Sequence, residues 1–162
     1  MGFNPPAMKI LLLLVCAAGL AGCTSVQSRI EINAPAERVR AVLLKFDDYP
    51  AWNPFIVKVD GAVAEGSTVA VTVRPVGKGE ISGTTKVLAV EKNRLVWRGS
   101  LAIPGLFSGV HEFLIEELGP NRTAFSNNEK MSGLVIPFYD FKPTEAGFAA
   151  MNEALKQRAE RP

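Results

Sequence analysis

Residues that bind metals or form cross-links are scarce: the 162-residue chain has one histidine and two cysteines. That leaves too few nitrogen and sulfur donors for a zinc or iron site, and no disulfide framework. Charge of one sign is equally scarce. Eighteen Lys and Arg stand against 16 Asp and Glu, a net charge of +2. An electrostatic nucleic-acid footprint needs far more. There is no linker, internal repeat or low-complexity stretch. No carboxylate cluster has calcium-loop spacing, and Gly77-Lys78-Gly79 with Gly83 misses the dinucleotide-loop spacing. No cofactor, metal or nucleic acid is therefore expected. What remains is 48% apolar and 21% charged, the composition of a folded chain of one domain.

Residues 10–20 form an apolar run, ILLLLVCAAGL, behind Lys9. It is shorter than the ~20 residues of a membrane-crossing helix and suits a signal h-region, with Met8 as the expected start. Leu20-Ala21-Gly22-Cys23 resembles the lipobox of bacterial lipoproteins, in which small residues admit the signal peptidase and the cysteine thiol receives diacylglycerol. The alternative is an ordinary signal peptide cut near Ala17-Ala18-Gly19. The resemblance implies loss of residues 1–22, Cys16 among them, and acylation of Cys23. Each buried methylene of such an anchor contributes ~0.8 kcal/mol. Thr24 stands where an Asp would signal inner-membrane retention. The implied location is therefore the bacterial cell envelope, at the outer membrane facing the periplasm. Residues 23–29 are expected to form a lipidated tether and residues 30–162 the domain.

Val26–Ile32 alternates apolar and polar, as a strand does. A helix then starts at Asn33-Ala34-Pro35, with Val39, Val42, Leu43 and Phe46 on one stripe. Between residues 56 and 131 the period is two, broken by Gly, Pro and Asn turns into six further segments. Period 3.6 returns at the C-terminus. Thr144 is the expected N-cap, and Phe148, Met151, Leu155 and Ala159 form the apolar face. The pattern predicts an α+β fold with seven antiparallel strands and a long C-terminal helix.

That element order is joined by several motifs: Tyr49-Pro50-Ala51-Trp52-Asn53-Pro54-Phe55-Ile56, Arg94-Leu95-Val96-Trp97-Arg98-Gly99, Pro104-Gly105-Leu106-Phe107, Glu129-Lys130-Met131-Ser132-Gly133-Leu134 and the run 147–156. Together they resemble the START-like SRPBCC family, in its polyketide cyclase/dehydrase-like branch, over residues 28–160. The resemblance implies a helix-grip fold, a sheet curled around the last helix, enclosing a cavity for a hydrophobic small molecule or lipid. Only some members of that family are enzymes. The chain departs from the family pattern between Val135 and Lys142, where the connection is short and Pro143 is expected to interrupt it.

Strand parity then selects inward side chains: Leu95, Trp97, Gly99 and Leu101 on one strand, His111, Phe113 and Ile115 on the next, and Phe125, Asn127, Glu129 and Met131 on the last. A three-residue loop at Gly119-Pro120-Asn121 would place His111 opposite Glu129 and Phe113 opposite Asn127. A one-residue slip would undo both pairs. His111 beside a carboxylate would have a raised pKa and a fixed tautomer, fit for acid–base work or for orienting a ligand. The candidate ligand-binding set is Trp52, Phe55, Trp97, Leu101, Phe107, His111, Phe113, Phe125, Asn127, Glu129, Phe148, Met151 and Leu155. Its aromatics, and Phe138, either line a pocket or simply fill the core. Phe107 and Met131–Leu134 are expected in loops at an entrance. Three functions remain open: a membrane-anchored binder of a small hydrophobic ligand or lipid, a cyclase or dehydratase for an aromatic or polyketide-like substrate using His111 and Glu129, and a scaffold whose cavity is filled by its own side chains.

Overall fold

Seven period-two segments pair into one antiparallel sheet in the order β1-β7-β6-β5-β4-β3-β2. The computed structural model describes residues 22–161; the signal segment expected before Gly22 lies outside the described residues. The strands are β1 (Gly22–Ile32), β2 (Ile56–Asp60), β3 (Thr68–Val73), β4 (Ile81–Val90), β5 (Arg94–Ser100), β6 (Ser108–Gly119) and β7 (Arg122–Gly133). Helices α1 (Ala36–Leu44) and α2 (Tyr49–Trp52) carry the chain from one edge of the sheet to the other, and α3 (Lys142–Ala159) closes it. This is the α+β helix-grip fold.

The first strand is longer than hydropathy suggested. Cys23 pairs with Ser132 and Thr24 with Met131, so residues 23–29 are hydrogen-bonded strand and not a tether. Their side chains alternate inward and outward in step with Val26 and Ile32. The inward positions before Val26 are Gly22 and Thr24, neither of them a large apolar residue, and this hides the start of the strand from an apolar count.

The β6–β7 turn also differs from expectation. Gly119 pairs with Arg122 across a two-residue loop, and a bulge at Leu118 absorbs the extra residue. Below the bulge Glu117 meets Thr123, and the register brings His111 opposite Glu129 and Phe113 opposite Asn127. The expected pairing holds because the bulge replaces the third loop residue.

Pro143 lies in the first turn of α3, where its missing N–H costs nothing, so it opens the helix rather than interrupting the connection. Thr144 is accordingly a buried first-turn residue and not the N-cap. The carbonyl of Phe141 accepts from the N–H groups of Thr144 and Glu145. Phe148, Met151, Leu155 and Ala159 are fully buried, as their spacing predicted. At the far end Lys156 Nζ donates to the carbonyl of Glu31 at 2.7 Å, and Glu160 Oε1 accepts the N–H of Asn33 at 2.7 Å. These contacts fasten the end of the helix to the outermost strand.

Candidate functional site

Between the inner face of the sheet and the start of α3 lies a cavity of about 440 Å³. Phe55 and Ile56 reach it because the buried Asn53 ends α2 and its Oδ1 accepts both their N–H groups, at 3.0 and 2.9 Å. The Phe55 ring then lies edge-on to Phe148, with centroids 5.2 Å apart, against Gly147. Any Cβ at Gly147 would overlap that ring. Val71 and Val73 come from β3, Ile81 and Thr85 from β4, and Trp97 and Gly99 from β5. The β5–β6 loop adds Leu101 and Phe107, and the connection after β7 adds Val135, Ile136, Tyr139 and Phe141. The loop turns through Pro104 and Gly105, whose φ of +79° suits a residue without a Cβ. The walls are overwhelmingly apolar. Thr85, His111, Glu129, Tyr139 and Thr144 bring the side-chain polar atoms.

Of the residues selected from sequence, Phe55, Trp97, Leu101, Phe107, His111 and Glu129 are in the cavity wall. Phe113, Phe125, Phe148, Met151 and Leu155 lie beneath it in the core. Asn127 is fully buried and holds His111 instead of reaching the cavity. Trp52 stacks edge-on against Tyr49 at 5.0 Å, away from the cavity, and Phe138 is exposed. Met131 is a strand residue, not part of a loop, and faces inward as its parity predicted, in the cavity wall. Sequence reading missed Val71, Val73, Ile81, Thr85 and the segment from Val135 to Thr144. The alternation of Val69, Val71 and Val73 was the available signal for β3. Nothing in the pattern marked Thr85 or the connection.

His111 and Glu129 are cross-strand partners, yet no hydrogen bond or ion pair joins them. The imidazole turns to Asn127 instead: Nε2 donates to Oδ1 at 2.6 Å, and Asn127 Nδ2 donates to the Met151 sulfur at 3.6 Å. The rings of Phe113 and Phe148 flank His111 with centroids at 4.4 and 4.9 Å. Burial in that apolar cage lowers the imidazole pKa to about 4, only partly opposed by the bond to Asn127. The expected carboxylate-raised histidine is therefore overturned. His111 is neutral at pH 7, with its proton on Nε2 and a lone pair on Nδ1.

Glu129 lies over Gly109, where any Cβ would overlap its Oε1, and the Phe107 ring closes in from the side. Burial pushes its carboxyl up to about 7. Near neutral pH the group is split between carboxylic acid and carboxylate, so it can donate or accept. Thr85 Oγ1 is buried in the same wall without a hydrogen-bond partner. An apolar chamber with one tunable carboxyl and one unsatisfied hydroxyl suits a mostly apolar molecule with a polar end.

A family model described as polyketide cyclase/dehydrase and lipid transport matches residues 24–160. The chain belongs to that family. No curated protein matches it. Among solved structures it resembles the Zhui aromatase/cyclase of a Streptomyces species, with TM-score 0.68 and 18% identity over 86% of this chain and 95% of that one. A START superfamily protein from Mycobacterium smegmatis gives 0.67 and 22%, over 86% and 98%. Norcoclaurine synthase from Thalictrum flavum gives 0.63 and 13%, over 88% and 90%. At these identities the likeness carries the helix-grip fold alone. What this member of the polyketide cyclase/dehydrase and lipid transport family does must be argued from its own cavity.

Proposed function

We propose that the protein binds a small hydrophobic molecule or lipid in the cavity, with Glu129 and Thr85 holding the polar end and the protein anchored to the membrane through Cys23. The observation that carries the reading is a carboxyl with a pKa of about 7 facing a chamber whose walls are mostly apolar. Burying the ligand's apolar body contributes roughly 25 cal/mol for each Å² removed from water. The family's description, which includes lipid transport, supports this class of cargo. Displacement of a fluorescent fatty acid tests it. Trp97→Ala should weaken displacement by altering the wall, and Glu129→Gln should remove its pH dependence around neutrality. A wild-type protein that takes up no apolar probe would end the proposal.

The anchor is supported by Leu20-Ala21-Gly22-Cys23 and by the exposure of Cys23 at the start of β1. Intact mass of the membrane fraction tests it: acyl mass present in the wild type should be lost in Cys23→Ser.

One observation favours a second reading. A carboxyl titrating near the working pH is matched to general acid–base catalysis, as a cyclase or dehydratase of aromatic or polyketide-like substrates would require. In that reading Glu129 protonates a substrate oxygen and His111 orients the substrate. Glu129→Gln would then abolish turnover while keeping binding.

A further inference from the structure

The exposed large apolar side chains of the described residues are gathered at one end. Val76 and Ile81 belong to the β3–β4 hairpin, Leu101 and Ile103 to the β5–β6 loop, and Phe138 and Tyr139 to the connection after β7. Ile103 is 64% exposed and Phe138 80%. Ile81, Leu101 and Tyr139 also line the cavity, so these segments are the rim of its mouth. Backbone hydrogen bonds tie them together: Val76 N–H to Pro143 at 3.2 Å, Leu134 N–H to Gly105 at 3.0 Å and Val135 N–H to Leu106 at 3.2 Å. A rim so apolar is a contact surface rather than a solvent surface.

The outer face of the sheet near that end carries cations. Lys86 pairs with Arg98, Arg98 with Val110, and Val110 with Lys130, which sets three basic side chains in one cross-strand row. Among the described residues none of the three has an ion-pair partner. Arg98 and Lys130 share a surface groove with Cys23. Cys23 itself pairs with Ser132, at the mouth end of β7.

We infer that the mouth of the cavity docks on an anionic lipid bilayer, with Ile103 and Phe138 entering the apolar layer and Arg98 and Lys130 meeting headgroup phosphates. The inference rests on the ligand-binding and anchoring readings above and adds an orientation to them: the cavity opens into the membrane, so cargo passes between chamber and lipid without crossing water. Apolar side chains beside unpaired cations match the two layers of such a surface. A second copy docked through this end would instead bring the same cations together.

The test uses the full-length protein reconstituted in vesicles of phosphatidylethanolamine and phosphatidylglycerol in equal parts, with and without brominated acyl chains. Phe138→Trp places an indole on the rim, and Lys92→Trp places one on the β4–β5 turn, well away from it. The expected result is a blue shift and a loss of emission to bromine for Phe138→Trp only, weakened when Arg98→Gln and Lys130→Gln are added. Equal quenching at both positions, or none at either, overturns the docking, as does a dimer cross-linked through the rim without quenching. None of these four residues lines the cavity, so fatty-acid displacement in the same proteins is a separate readout. Retained displacement with no quenching ends the docking alone. Lost displacement in the parent protein ends the binding reading as well.

Discussion

Replacing Glu129 with glutamine mimics the neutral form of a carboxyl that burial holds near pKa 7, against 4.5 when solvated. The native state therefore binds more protons than the unfolded chain between those values. The contribution of Glu129 to stability should fall as pH rises from about 4.5 to 7 and be flat beyond. The interval corresponds to roughly 3 kcal/mol. His111 works in the opposite sense. Its pKa of about 4, against 6.5 when exposed, makes the native state lose stability as pH falls from 6.5 towards 4, again by roughly 3 kcal/mol. In the wild type the two contributions largely cancel over the interval they share. Glu129→Gln uncovers the histidine slope. Urea unfolding at pH 5, 6.5 and 8 measures it, and the difference between variant and wild type isolates Glu129 because every other titrating group is common to both. The variant should exceed the wild type by less than about 1 kcal/mol at pH 5 and by about 3 kcal/mol at pH 8. A difference that stays constant with pH, or a variant less stable at pH 8, would refute the account of a desolvated carboxyl.

Other substitutions probe the supports of the site. Asn127→Ala leaves His111 Nε2 without its acceptor and should cost about 1–3 kcal/mol in urea unfolding. Gly109→Ala overlaps only the mobile end of Glu129 and stands 3.3 Å from the Phe107 ring tip. Its stability should stay within about 1 kcal/mol of wild type, while fatty-acid displacement changes because the carboxyl has moved. Gly147→Ala meets the Phe55 ring itself, so it should destabilise by about 1–3 kcal/mol through overpacking and disturb the cavity wall, read by thermal unfolding and probe affinity together.

The parts legible in the sequence were those set by repetition. Period two gave the strands, and Phe148, Met151, Leu155 and Ala159 gave the buried face of α3, because burial on one side of a regular element leaves a periodic trace. The cross-strand placement of His111 and Glu129 was legible only because a bulge at Leu118 compensates for a shorter loop. The start of β1 was not, since Gly22 and Thr24 take the inward positions ahead of Val26 without being large apolar residues. Nor was the relation between His111 and Glu129. Register says which residues face each other, whereas side-chain torsions decide that the imidazole turns to Asn127 and the carboxyl folds over Gly109. The cavity wall from Val135 to Thr144 lies in irregular backbone that has no period to read.

The clasp between α3 and β1 has a consequence for self-association. β1 ends the sheet, and an end strand with free amides and carbonyls invites a strand from another molecule. Lys156 occupies the carbonyl of Glu31, Glu160 takes the N–H of Asn33, and Asn152 reaches Ser28. The helix that encloses the cavity therefore also guards the sheet's open border. A chain shortened before Lys156 would lose both the Lys156 and Glu160 contacts and present that border to its neighbours, so aggregation would arise from a missing turn of helix at the end away from the cavity.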